Sequence, residues 1–136
     1  MSDQDNIRLV QAFMEKHDPA LMAENATYQD FTSPEPLRGR QAIGHMLDML
    51  YRTAFPGGTD EVRQVMAAGD RVAVEYTFRG VNSGNLMGLP ATNRPVELPM
   101  CAVYEITEGA IQAARVYYDS AQLARQLGLA PASAQL

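Results

Sequence analysis

The chain has 136 residues, of which 46% are hydrophobic and 20% charged, and this composition is typical of one globular domain. A net charge of −5 without a cluster of basic residues argues against binding to nucleic acid or to an anionic membrane surface. One cysteine, Cys101, excludes an internal disulfide, and no apolar stretch reaches the roughly 18 residues of a membrane span.

The first half of the sequence predicts helices and one strand. Residues 2–17 have apolar side chains at helical spacing, and Asp18-Pro19 ends this helix because the residue before a proline avoids the helical region. Residues 19–25 favour a short second helix with proline in its first turn. A strand is expected over residues 26–31, followed by a loop and a third helix over residues 38–55.

In the second half the apolar period changes to two, which predicts strands. One hairpin is expected to turn at Gly69-Asp70 and a second at Glu108-Gly109, and residues 120–129 favour a short helix. We expect one domain over residues 1–129 and a flexible tail at residues 130–136. The predicted fold class is α+β: a cone-shaped α+β barrel with a curved antiparallel sheet wrapped around N-terminal helices.

Three stretches of the sequence resemble known families. The segment "ATYQDFTSPEPLRGRQAI" (26–43) resembles bacterial ketosteroid isomerases, in which a strand ends in an aspartate before a loop and a helix. The segments "GLPATNRPVEL" (88–98) and "EGAIQAARVYYDSAQLARQLGL" (108–129) resemble SnoaL-like polyketide cyclases. Both groups belong to the nuclear-transport-factor-2-like superfamily of cone-shaped α+β barrels, which hosts many functions.

The resemblance implies two catalytic carboxylates. Asp30 matches the isomerase residue that removes a proton beside a ketone, and Asp119 matches the acid/base carboxylate of the cyclases. The isomerases also have an oxyanion hole made of a tyrosine and a protonated carboxylic acid. The matching acid would fall at Cys101 or Ala102, and the first predicted helix has no tyrosine, so this part of the isomerase site is missing.

Each aspartate also has a structural interpretation. Asp119 precedes "SAQLARQL" and could cap that helix, while Asp30 could form an ion pair with Arg38 or Arg40. Both readings stay open at the level of the sequence. Burial in an apolar cone would raise the pKa of an aspartate and make it a better base.

Three further residues are candidates for substrate binding. Strand parity places Arg115 and Tyr117 on the same face as Asp119, and Tyr28 on the same face as Asp30. An inward arginine could bind an enolate oxygen, and Tyr28 could donate a hydrogen bond. It is equally compatible with the sequence that Arg115 is solvated on the outside of the sheet and that Tyr28 only packs in the core.

The sequence predicts neither a metal site nor a cofactor. His17 is expected to end a helix, where a cation suits the helix dipole, and no clustered Cys/His motif is present. We therefore expect a cofactor-independent enzyme that transfers protons on a ketone or polyketide-like molecule, with a small apolar or polycyclic carbonyl compound as ligand. The alternatives are a non-catalytic binding or assembly protein and an epoxide-hydrolase-like enzyme.

Two expectations concern the protein in its cell. The acidic N-terminal segment lacks the apolar region of a signal peptide, so the cytoplasm is the expected location. Relatives commonly pair through the exposed face of the long sheet, which predicts a homodimer with isologous contacts.

Overall fold

The computed structural model describes residues 2–129 and has the predicted α+β fold. The helices are α1 (Asp3–Lys16), α2 (Arg40–Asp48) and α3 (Ser120–Gln126), with a 3₁₀ turn at Pro19–Leu21 and a π-helical segment at Met49–Ala54. The strands are β1 (Met22–Asp30), β2 (Leu37–Arg38), β3 (Thr59–Ala68), β4 (Arg71–Val81), β5 (Pro95–Thr107) and β6 (Ala110–Tyr118). The predicted tail at residues 130–136 lies outside the described residues.

The six strands form one mixed sheet in the order β2-β1-β6-β5-β4-β3. β3 to β6 make the predicted antiparallel meander, whereas β1 runs parallel to β6. Helices α1 and α2 pack on the same sheet, α1 against β3, β4 and β6 and α2 against β1. The parallel pair brings the C-terminal ends of β1 and β6 together, which decides where Asp30 lies.

The main core lies between the helices and the sheet. Val10 and Phe13 of α1 and Ile43 of α2 are buried there. Val72, Val74 and Tyr76 alternate along β4 with their side chains in this core, as the period of two predicted. Burial of such apolar side chains is the main source of fold stability, at roughly 25 cal/mol for each Å² removed from water.

Two predicted helices have different bounds in the structure. The expected helix over residues 19–25 is a single 3₁₀ turn, because Met22 already pairs with Ile111 of β6 and starts a longer strand than predicted. The third helix is α-helical only to Asp48 and then widens, with the amide of Phe55 bonded to the carbonyl of Leu50. A π-type turn of this kind is often found at functional sites.

Candidate active site

Asp30 lies at the end of β1, where it is hydrogen-bonded to a tyrosine of β6. The hydroxyl of Tyr118 donates to Oδ2 of Asp30 at 2.8 Å, and the amide and hydroxyl of Thr32 donate to Oδ1 at 2.9 and 2.8 Å. Burial, and then the hydrogen bond to Asp30, raise the pKa of Tyr118 to about 12. Tyr118 is therefore a neutral hydrogen-bond donor at physiological pH. Among the described residues, these hydrogen bonds hold the side chain of Asp30 in place, and the alternative ion pair with Arg38 or Arg40 is not formed.

Four other tyrosines lie in the main core or pack against it: Tyr28 of β1, Tyr51 of the π-helical segment, Tyr76 of β4 and Tyr104 of β5. Burial raises the pKa of all four, and the negative charge of Asp60 raises each of them further. The charge of Asp30 also raises the pKa of Tyr28, which places the Tyr28 hydroxyl within electrostatic reach of both carboxylates.

Asp60 is a buried carboxylate that sequence analysis missed. It pairs with Phe78 across β3 and β4, and residues paired in this way share a face of the sheet, so Asp60 points inward. Its side chain is 3% exposed and contacts Nε2 of His17 at 3.0 Å. The hydroxyl of Tyr51 lies 3.1 and 3.0 Å from the two carboxylate oxygens. In the sequence, Asp60 stands in "GTDEV" with no local signal of burial, so only the fold reveals it.

Asp119 follows the last residue of β6 and is exposed. Its Oδ1 accepts hydrogen bonds from the amides of Ala121 and Gln122, at 3.0 and 3.2 Å, and so caps α3. This is the structural interpretation that the sequence left open. The carboxylate of Asp119 is thus occupied at the surface end of α3, and the catalytic role that the resemblance implies for it stays a prediction.

Arg115 and Tyr117 lie on the outer face of β6. Arg115 pairs with Glu105, and the hydrogen bond from Arg115 lowers the pKa of that carboxyl. Tyr117 is 44% exposed and stacks on Phe31 with the ring centroids 4.8 Å apart. The prediction that these two residues face the interior is corrected. The buried Ala114 and Val116 occupy the opposite face, and their apolar character was the sequence signal that could have decided it.

Two clefts flank α1 on the surface. The larger, of about 580 Å³, lies between the end of α1 and α2, and its lining includes Lys16, His17, Arg40 and His45. The smaller, of about 370 Å³, lies between α1 and the start of β3 and is lined by His17 and Asp60 among others. Asp30 and Asp119 line neither of these two clefts.

The described residues also show what the side chains could bind. Within residues 2–129 no three His, Cys, Asp or Glu side chains gather as they would around a metal ion. In the same part of the chain, no helix combines the length and apolar character needed to cross a membrane. The polar groups described above are the carboxylates of Asp30 and Asp60, the imidazole of His17 and the tyrosine hydroxyls.

The fold and the interior polar groups define an α+β cone protein with acid–base side chains. The family model of the SnoaL-like polyketide cyclases matches residues 5–127. The chain therefore belongs to the SnoaL-like polyketide cyclase family, as the resemblance in the sequence predicted. No curated protein sequence matches the chain.

Solved structures of the same fold cover nearly the whole chain. A protein from Jannaschia sp. described as SnoaL-like polyketide cyclase is 17% identical with a TM-score of 0.82, covering 95% of this chain and 94% of that one. A protein from Xanthomonas campestris described as a polyketide cyclase is 25% identical with a TM-score of 0.76, covering 92% and 98%. An LEH-like epoxide hydrolase from M. tuberculosis is 19% identical with a TM-score of 0.73, covering 94% and 92%. These likenesses confirm the fold.

Proposed function

We propose that the protein is a cofactor-independent enzyme that transfers protons on a ketone or polyketide-like small molecule, in the manner of a cyclase or an isomerase. The observation that carries this proposal is the placement of Asp30 beside neutral tyrosine hydroxyls at the end of β1. Membership of the SnoaL-like polyketide cyclase family supports the substrate class.

The proposed reaction begins at a carbon next to a carbonyl. The carboxylate of Asp30 removes a proton from that carbon, and negative charge develops on the carbonyl oxygen. The hydroxyl of Tyr28 donates a hydrogen bond to this oxygen, because burial keeps Tyr28 protonated. An isomerase would return the proton to another carbon, and a cyclase would let the enolate attack a second carbonyl. Tyr28 thus takes the part of the oxyanion-hole residues that the sequence lacks.

The substrate has to share the interior with aromatic rings. The side chains of Tyr28, Tyr51 and Tyr118 pack against the main core. Where a flat apolar ligand needs these rings to move, the energy of that movement lowers its affinity. Met100, which pairs with Tyr118 and Tyr76 across β4 to β6, offers an adaptable neighbour for such a ligand.

A second candidate function is that of a binding or assembly protein that retains the cone without turnover. The outward position of Asp119 favours this alternative, since it removes one of the two acids that the resemblance implied. The epoxide-hydrolase alternative has less support. It requires Asp30, Arg115 and Asp119 to hold a water molecule together, and Arg115 is paired with Glu105 on the outer face instead.

The test uses 2-tetralone, a flat bicyclic ketone with acidic α-protons, in D₂O. Proton NMR follows the enzyme-catalysed loss of the α-proton signal in the wild type and in Asp30→Asn. We expect the substitution to slow this exchange by at least about 10²-fold, since a positioned base contributes that much or more. Equal rates in the two proteins would remove Asp30 from the mechanism.

Asp119→Asn is the matched variant. Asparagine caps helices about as well as aspartate, so this substitution removes the charge and leaves the α3 cap in place. Wild-type exchange in Asp119→Asn, together with slow exchange in Asp30→Asn, would place the chemistry at β1. A loss of exchange in Asp119→Asn alone would restore the role that the resemblance implied. Binding of 2-tetralone without exchange in the wild type would favour the non-catalytic alternative.

A further inference from the structure

The buried pair of Asp60 and His17 is not used by the reaction proposed above. A carboxylate with 3% of its side chain exposed is expensive to bury unless it is paired, and here His17 and Tyr51 supply the partners. The hydroxyl of Tyr51 is nearly equidistant from the two carboxylate oxygens, at 3.1 and 3.0 Å. One of those oxygens, Oδ2, also contacts Nε2 of His17 at 3.0 Å. Asp60 thus joins an imidazole on one side to a phenol on the other.

The backbone of His17 adopts the left-handed conformation, with φ 52° and ψ 39°, at the C-terminal end of α1. Glycine is the usual residue at such a position, because a side chain makes the conformation costly. The ring of His17 stacks on that of Tyr51, with centroids 3.6 Å apart and an angle of 17° between the planes. The left-handed backbone and the stack together fix the direction in which the imidazole faces Asp60.

The same imidazole is in contact with the surface. His17 lines both clefts beside α1, and its side chain is 15% exposed. The charged side chains around these clefts include Lys16, Asp18 and Glu15, while Tyr51 and Tyr28 face the buried side of the pair. His17 therefore has solvent on one side and Asp60 on the other, and the Tyr51 ring that stacks on His17 turns its hydroxyl to the same carboxylate.

We propose that His17 and Asp60 form a proton relay that connects the tyrosine-lined interior with solvent at the clefts beside α1. His17 takes a proton from water at Nδ1 and gives its Nε2 proton to Oδ2 of Asp60. The resulting carboxylic acid gives a proton to the hydroxyl oxygen of Tyr51, and Tyr51 returns its own proton to the other carboxylate oxygen. The exchange at Tyr51 moves two protons together and leaves the acid proton on Oδ1. Rotation of the carboxyl group then turns that oxygen towards His17, which takes the proton at Nε2 and releases its Nδ1 proton to water.

The relay gives the interior a supply of protons that does not pass Asp30 at the end of β1. Its use in turnover rests on the proposed function, since an enolate formed by Asp30 needs a proton at its oxygen or at a second carbon. The existence of the relay does not rest on the proposed function, because exchange of the tyrosine hydroxyl proton in the unliganded protein measures the relay directly. His17 and Asp60 act through the tyrosines and are positioning and relay residues in this scheme.

The test measures the exchange of the Tyr51 hydroxyl proton with solvent. The protein is labelled with ¹³C at Cζ of tyrosine, and the isotope shift on that carbon after transfer to D₂O gives the exchange rate. We expect His17→Gln to slow exchange at Tyr51 by at least about tenfold, because the imidazole that carries protons inward is gone. A purely structural role for His17 predicts the opposite sign, since loss of the stack would loosen the site and speed exchange.

His45→Gln is the matched control, because His45 lines the larger cleft without contacting Asp60 in the described structure. It should leave exchange at Tyr51 unchanged. Asp60→Asn serves as a second variant if His17→Gln does not fold, and it should also slow exchange. Unchanged or faster exchange in whichever of these two variants is folded would overturn the relay.

Two further outcomes separate this relay from the proposed function. Added imidazole should restore fast exchange in His17→Ala, more strongly for more basic imidazoles, whereas rescue independent of basicity would overturn proton transfer. Slow hydroxyl exchange in His17→Gln combined with wild-type α-proton exchange in Asp30→Asn would keep the relay and remove the proposed base.

Discussion

Replacement of Tyr118 by phenylalanine removes the hydroxyl that holds Asp30 and leaves the ring in place. Burial is the larger cause of the rise in the pKa of Tyr118 to about 12, and the hydrogen bond to Asp30 is the next, so only part of the rise reports on that bond. Tyr118 is only partly buried, so solvent screens part of this interaction. We expect Tyr118→Phe to lower the free energy of unfolding at pH 8 by about 1 to 1.5 kcal/mol.

The same prediction has a pH dependence with a definite sign. The folded-state pKa of Tyr118 lies above that of the unfolded chain, so the stabilisation is complete below about pH 10 and is lost as the pH rises through about 12. Tyr118→Phe lacks the titrating group. The difference in unfolding free energy between the two proteins should therefore lose most of its pH 8 value by about pH 11.

Urea unfolding followed by far-ultraviolet circular dichroism measures this difference at both pH values. Tyr117→Phe is the matched control, because Tyr117 is the neighbouring tyrosine and its ring stacks on the surface with Phe31. It should change stability by less than about 0.5 kcal/mol at pH 8. The hydrogen bond between Tyr118 and Asp30 would be contradicted if the difference in unfolding free energy between wild type and Tyr118→Phe were the same at the two pH values, or were absent at pH 8.

Three other predictions concern stability, ionisation and assembly. Asn82 is 1% exposed, and its side chain is hydrogen-bonded to Ala54, Gly84 and Thr92. Asn82→Ala should therefore lower the free energy of unfolding in urea by about 2 to 4 kcal/mol, and the control Ser83→Ala should lower it by less than about 0.5 kcal/mol. Most of the six tyrosines should stay protonated in the folded protein at about pH 11, as judged by near-ultraviolet absorbance, and early ionisation of most would refute the shielded cluster. Light scattering at micromolar concentration should give twice the chain mass, and a monomer would remove the predicted homodimer.

The elements of the fold follow from local patterns that the sequence states directly. The helical spacing of residues 2–17 and the period of two in β4 each predicted an element that the structure contains. The turns at Gly69-Asp70 and Glu108-Gly109 were predictable because these residues accept the backbone conformations of tight hairpins. The resemblance of residues 26–43 to ketosteroid isomerases placed Asp30 at a strand end, and the structure has it there.

The prediction for the end of β6 shows where local patterns stop. Strand parity correctly grouped Arg115 with Tyr117, but parity does not state which face is inside. Asp119 lies beyond the last paired residue, so the backbone there follows the start of α3 and the carboxylate caps that helix. The side chain of Asp119 could either extend the face of β6 or cap α3. The backbone amides at the start of α3 decide for the cap, because they are in position only once the helix has formed.

Sequence alone thus determined the α+β class and the two hairpins, because propensity, periodicity and turn chemistry act between residues close along the chain. The role of Asp30 as a base came from the resemblance to ketosteroid isomerases and stays a prediction. Tertiary structure decided the grouping of His17 with Asp60, which are 43 positions apart, and of Asp30 with Tyr118, which are 88 apart. The physical reason is that burial and hydrogen bonding are properties of the neighbourhood in space. Packing of α1 on β3 and pairing of β1 with β6 create those neighbourhoods, and no local pattern in the sequence encodes them.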